Sequence, residues 1–433
     1  MHRESQLRSP TGPPERTITM RYSTYLRPAR KRSAFNRWFA LFLLGGIFAF
    51  ACFGGLAQKA LAPVEVRNPW PPETVMGSDG HAHLAYELHI TNFYGDTGVL
   101  RLSRLAVFAD DSRTPLAIFD DTALGAMVSP HLAEGAKPGD NLAIKAGTRA
   151  IVFVWLTLPD QQPPPQTLRH SIEFDNVHGD TELVDGARVT VDATPPVILG
   201  PPLRGLWIAT EGPGNSNSHH WGSLVAVNGE LTIPQRYALD LIGVDAHGRV
   251  LHPGVADYRQ SKLTDWVGFG TDVLAVADGV VVAAHDGETD RKPLAPQPEP
   301  SSLTADGLYG DYVVLQIAPH RYVHYAHLQR ESVIVKSGQQ VHRGDVLGHV
   351  GQSGMSGGPH LHFQVSNAPT FEGSEGVPFV FDAFSSPGTW SVTQAIDPDA
   401  KLPTTDAAHS QRRQAMPLDN DLVGFPAVRQ AEK

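Results

Sequence analysis

Two histidines separated by one leucine, His360 and His362, stand in the stretch GGPHLHFQV at residues 357–365. In a strand, side chains at i and i+2 project from the same face, so both imidazoles can enter one pocket while Leu361 points into a core. Such a pair can hold a metal ion, or it can be two polar groups on the wet face of a strand, and the spacing alone permits both. Upstream, His327 ends the apolar run RYVHYAHL, and the turn GQSGMSGG at 351–358 leads back into the histidine pair. Glycines in such a turn let two backbone segments approach closely. Any metal must be held by histidine and carboxylates, because the one cysteine, Cys52, lies inside an apolar run and leaves no disulfide or cysteine cluster open.

The elements that must position these residues read as strands. The chain of 433 residues holds 41 Gly and 35 Pro, and Val, Thr, Phe and Tyr cluster in short runs, which predicts a mainly β protein with tight turns. From 63 to 195, HAHLAYELHITN, GVLRLSRLAVFA, TRAIVFVWLTL, LRHSIEFD and ARVTVD alternate apolar and polar residues between Gly, Asp and Pro clusters, the pattern of an Ig-like β-sandwich domain. His81, His83 and His89 are expected on its solvent face. The proline-rich TPPVILGPPLRG at 194–205 marks a domain boundary, since it can neither continue a helix nor sit in a central strand. A second β domain follows over 204–392, with a surface insertion around DRKPLAPQPEPSSLTADG. The polar stretch 401–433, without periodicity, is expected to be a disordered tail.

The N-terminus has a different composition. Residues 1–37 carry nine Arg or Lys against two Glu, directly before the uncharged stretch WFALFLLGGIFAFACFGGLA at 38–57. At 1.5 Å per residue this covers about 30 Å, the thickness of a bilayer core, and the basic flank is expected in the cytoplasm. The reading is a basic cytoplasmic tail, a transmembrane helix and an exported remainder; cleavage near Ala57, where Gly55-Leu56-Ala57 offers small residues, is the alternative. The net charge of −10, spread over the body of the chain, argues against a nucleic-acid partner.

Taken together, YAHL, VKSGQQVHRGDVLGHVGQSG, GPHLHF and VLAVADGVVV resemble the lysostaphin-type, LytM-like zinc endopeptidases of the duplicated hybrid motif fold. The resemblance implies Zn2+ held by a His and an Asp of an H-x-x-x-D motif and by the second His of H-x-H. It also implies a catalytic role for the first His of H-x-H and for the His of the Y-x-H-L strand. Carried onto this chain, His362 and Asp240 are metal ligands and His327 and His360 the catalytic pair.

One position departs from that pattern: the first ligand histidine is replaced by Arg236, whose guanidinium has no lone pair to offer a metal. Either a histidine of GPGNSNSHHWGS, His219 or His220, supplies the missing ligand, or Arg236 forms a salt bridge with Asp240 and the pocket holds no zinc. The first alternative gives a zinc metalloendopeptidase hydrolysing peptide cross-links of bacterial peptidoglycan in the periplasm, anchored to the inner membrane through residues 38–57. The second gives a non-catalytic domain that binds cell wall or activates another cell-wall enzyme, an amidase, with Arg236 as a substrate or structural residue.

Overall fold

In the computed structural model the described residues are 60–129, 139–160, 162–215, 218–255, 257–297, 305–403 and 410–426. The stretches 1–37 and 38–57 lie outside them, and among the described residues no helix is long and apolar enough to cross a membrane. The protein is mainly β with few helices.

The alternating segments of the N-terminal half form two sheets. One runs in the order Ala60–Leu61, Thr181–Thr190, Thr167–Asp175, Leu100–Ala109 and Pro115–Asp120; the other in the order Val64–Arg67, Ala82–Asn92, Thr148–Thr157 and Val128–Ser129. Between them lie Leu84, Tyr86, Leu88, Leu105, Val152, Val154, Ile172 and Phe174, all buried at alternate positions along their strands. The strand Ala82–Asn92 is buried on both faces, because its second face is covered by the C-terminal half. His83 and His89 are consequently buried instead of facing solvent, and of the three only His81 keeps its side chain partly in solvent.

The C-terminal half is built on a sheet of 11 strands. Its order is Val197–Leu199, Phe379–Thr389, Asp421–Phe425, Gly205–Thr210, Leu239–Val244, Leu361–Ser366, Arg321–Leu328, Asp311–Ala318, Gly279–His285 and Gln340–Val341, with Gln411–Ala415 beside Phe379–Thr389. The proline-flanked Val197–Leu199 occupies an edge, where missing N–H donors cost no ladder bonds.

The expectation of disorder over 401–433 is overturned for the described part of that tail. Asp421–Phe425 pairs with Gly205–Thr210 and buries Leu422, Val423 and Phe425, so the apolar positions of DLVGF complete the sheet. Met416 exchanges backbone hydrogen bonds with Met76 and Ser78, which ties this C-terminal segment to the N-terminal half. The sheet thus extends beyond the expected bounds of 204–392 on both sides.

His170 gives the N-terminal half a pH-dependent stability. It donates from Nδ1 to the Ala187 carbonyl at 2.9 Å and accepts from the buried Tyr86 hydroxyl at 2.8 Å. Burial pushes its pKa down to about 4. In the unfolded chain the imidazole takes its proton near pH 6.5. Its contribution is therefore fully present above pH 6.5 and lost as the pH falls towards 4, by roughly 3 kcal/mol in all. Urea unfolding of wild type and His170→Gln at a series of pH values should show the wild type losing more stability across this window; parallel curves would contradict it.

Candidate functional site

Three neighbouring strands of the large sheet set the site. Asp240 on Leu239–Val244 lies directly opposite His362 on Leu361–Ser366, and His362 in turn lies opposite Ala326, the neighbour of His327. His327 adopts φ 60°, a left-handed conformation that costs a β-region residue about 1 kcal/mol or more and turns its ring out of the strand's alternation. The His327 carbonyl accepts from Gly351 N, and a Cβ at Gly351 would lie 2.3 Å from the Gln329 backbone. That close approach is what the glycine-rich turn makes possible.

Four groups converge. His362 Nδ1 lies 3.0 Å, His360 Nε2 3.3 Å and His220 Nε2 3.4 Å from Asp240 Oδ1. Each ring is fixed from behind. His220 donates from Nδ1 to the Glu211 carbonyl at 2.9 Å, and His360 from Nδ1 to the Gly358 carbonyl at 2.8 Å. His362 donates from Nε2 to Gln364 Oε1 at 2.8 Å, the amide being oriented by its own Nε2 donating to the Pro234 carbonyl. A neutral imidazole that donates from one nitrogen carries its lone pair on the other. One nitrogen of each ring thus faces the Asp240 carboxylate: His362 Nδ1 lies within hydrogen-bonding distance of it, and the Nε2 atoms of His220 and His360 are buried with no hydrogen-bond partner. Nitrogen and carboxylate oxygen atoms packed this closely need protons or a cation shared among them, and the donor set fits Zn2+.

Electrostatics follow from the same packing. Burial would raise the Asp240 carboxyl, but His360 and His220 outweigh it and hold its pKa well below the usual carboxylate range. For His360 burial acts downward, and Asp240 overrides it and raises the pKa. His327 is pushed well down by burial and by the neighbouring His360 and His362. It is therefore neutral, with Nδ1 donating to the Ser353 carbonyl at 2.9 Å and its lone pair on Nε2. Its ring centre lies 4.8 Å from that of His360.

The adjacent pair 219–220 splits between two environments. His220 is 2% exposed and turned to Asp240, whereas the exposed His219 pairs its Nδ1 with Glu211 Oε2 at 3.1 Å. One ligand atom each of His219, His220 and Asp240 still lie within 4.8 Å of one another, so His219 stands at the rim. Arg236 does not pair with Asp240. It reaches the other way, bidentate to Glu87 at 2.7 and 3.0 Å and to Glu375 at 2.6 Å, all three buried. The salt bridge expected in the metal-free alternative is replaced by this one, because Glu87 of the N-terminal half offers a bidentate partner of matching geometry.

Two participants have no signal in the sequence patterns. Glu87 sits among alternating strand residues and looks like an ordinary polar position. Tyr309, beside the insertion, lines a cavity of about 400 Å³ with His219, His220, Asp240, His327, His360 and His362, and its buried hydroxyl has no partner. His324 is buried and bonded to Ser366 Oγ at 2.7 Å.

Comparison with known proteins finds a family model that matches part of the chain. Residues 261–374 match the model described as Peptidase family M23. That span holds His327, His360 and His362 and omits His220, Arg236 and Asp240. The chain is 33% identical over 135 residues to a peptidoglycan DD-endopeptidase, ShyA, of Vibrio cholerae serotype O1, covering 30% of this chain and 26% of that protein. It is 32% identical over 117 residues to the peptidoglycan DD-endopeptidase ShyC of the same organism, covering 27% and 22%. The matches thus span about a quarter of the length of these relatives. Among solved structures, the catalytic domain of lysostaphin from Staphylococcus simulans aligns over 35% of this chain and 80% of that domain, with 21% identity and a TM-score of 0.20.

Arg236 serves the junction with the N-terminal half, and breaking one side of a buried ion pair strands its partner charge. Arg236→Ala is expected to cost about 3–5 kcal/mol of unfolding free energy. A change under 1 kcal/mol in denaturant unfolding would contradict this structural role.

Proposed function

We propose that the protein is a zinc-dependent endopeptidase acting on peptide cross-links of peptidoglycan in the bacterial cell envelope. The observation that carries this reading is the convergence of His220 Nε2, His360 Nε2 and His362 Nδ1 on Asp240 Oδ1, with the opposite nitrogen of every ring engaged by an acceptor. The match of residues 261–374 to an M23 peptidase model and the peptidoglycan DD-endopeptidases among the relatives support the substrate class. Engagement of Arg236 by Glu87 and Glu375 leaves the Asp240 carboxylate available, which weighs against the non-catalytic alternative.

Asp240, His362 and His220 are assigned as the residues that hold zinc, with His219 at the rim of the cavity. A zinc ion held by these residues would supply Lewis acidity for a peptide carbonyl and for the activation of water. His327 and His360 handle the proton. His327, neutral and with Nε2 unprotonated, is suited to take it, and the adjacent His360, whose pKa Asp240 raises, is suited to donate a hydrogen bond to charge developing on oxygen. The Tyr309 hydroxyl can satisfy a polar group of the bound peptide, and Leu308, Met355 and Phe371 supply apolar walls that exclude water. The apolar stretch 38–57, as an inner-membrane anchor or a signal segment, would place these groups beside a wall substrate in the periplasm.

Purified exported protein should bind one zinc and release peptides from isolated murein. His362→Ala and His220→Ala should lose both metal and activity, whereas His327→Ala should retain the metal and lose activity by about 10²–10⁴-fold. A wild-type protein that takes up no zinc and releases no peptide would sink the proposal. Tyr309→Phe should retain zinc and lower kcat/KM about 5–150-fold, the cost of one hydrogen bond of about 1–3 kcal/mol; an unchanged kcat/KM would remove Tyr309 from substrate contact.

A further inference from the structure

The segment that carries His220 has little regular structure of its own. It leaves the strand Gly205–Thr210, passes through turns, and returns by the short strand Val225–Val227. A metal ligand in such a segment needs an external support, and the support comes from the other half of the molecule. Trp221, the next residue, is 4% exposed and donates its indole N–H to Glu87 Oε1 at 3.0 Å. Its ring stands edge-on to Phe153 and Trp155 at 5.7 and 6.2 Å, and Trp155 is itself stacked on His83 at 4.6 Å. Phe153, Trp155, His83 and Glu87 all belong to the paired strands Ala82–Asn92 and Thr148–Thr157.

The same carboxylate grips Arg236, so Glu87 joins both segments that flank Asp240 in space, the His220 segment and the approach to strand Leu239–Val244. A rigid antiparallel pair in the N-terminal half thus holds one end of each. With Trp221 seated in this socket, the backbone of residue 220 is set and its ring is directed the other way, against His362 at 4.7 Å.

We propose that the N-terminal sandwich is a working part of the metal centre, and that Glu87 and Trp221 are positioning residues that hold His220 in place. This inference rests on the reading of His220 as a zinc ligand. It assigns to the sandwich a role that recognition of cell wall or of a partner would not require.

The test uses the full exported chain and two readouts. Trp221→Phe keeps most of the ring packing and removes the N–H donor; Glu87→Ala removes the shared carboxylate; Ile172→Val thins the sandwich core without touching the socket. Zinc affinity, measured by competition with a chelator, should fall at least tenfold in Trp221→Phe and more in Glu87→Ala, and remain within twofold in Ile172→Val. In metal-free protein, amide hydrogen exchange over 218–224 should accelerate in the first two variants while strand Leu361–Ser366 stays protected. Unchanged affinity and exchange in Trp221→Phe would overturn the proposal, and so would an affinity loss in Ile172→Val that equals the others. If wild type takes up no zinc, the metal reading fails by itself, and exchange over 218–224 alone decides whether the socket positions His220.

Discussion

A buried carboxylate with no fixed cation beside it is the constraint on which this site depends. Asp240 lies on a central strand of the large sheet, where an uncompensated charge would be costly, and the arginine four residues earlier turns away from it. Three imidazoles approach instead, each held by an acceptor on its far side, so that one nitrogen of every ring faces the carboxylate. The folded state tolerates this arrangement only because the surrounding strands and turns over-determine it. Register pairs Asp240 with His362, a left-handed His327 is braced by the Gly351 contact, and a hydrogen-bonded turn holds His360.

The fourth side of the site depends on the N-terminal half. The buried apolar cluster of the large sheet includes Val75, Ala85, Ile151 and Phe153 from the sandwich strands together with Leu203, Trp207, Trp221 and Leu239, so the two halves share one core. Within that apolar contact the Arg236, Glu87 and Glu375 cluster supplies direction. Ion pairs in a dry interface add little net stability compared with apolar packing, but misregistered alternatives would leave charges unpaired. Arg236 thereby pins the interface, and His220 from an adjacent segment turns to Asp240 in its stead.

The strand character of the chain and the paired histidines of GPHLHF were legible, because period-two alternation and i, i+2 spacing are local properties of a strand; His327 and Asp240 were singled out only by the resemblance of their motifs to the lysostaphin-type family. The roles of Glu87 and Tyr309 were not. Glu87 is one more polar residue in an alternating strand until a second sheet covers that face, and Tyr309 belongs to no periodic segment. The strand Asp421–Phe425 was misread for a related reason: a short, polar-flanked segment is ordered by the sheet edge it joins and by little within itself.

Sequence by itself determined which atoms could do chemistry, since donor type and strand spacing are written in the order of residues. It also restricted any metal to histidine and carboxylate ligands by providing a single, apolar-embedded cysteine. Only the tertiary structure decided which of His219 and His220 is buried against Asp240, and whether Asp240 or Glu87 partners Arg236. Those choices turn on which face of a segment is buried and on what approaches from the other half of the molecule, and contacts between residues more than a hundred positions apart leave no periodic trace along the chain.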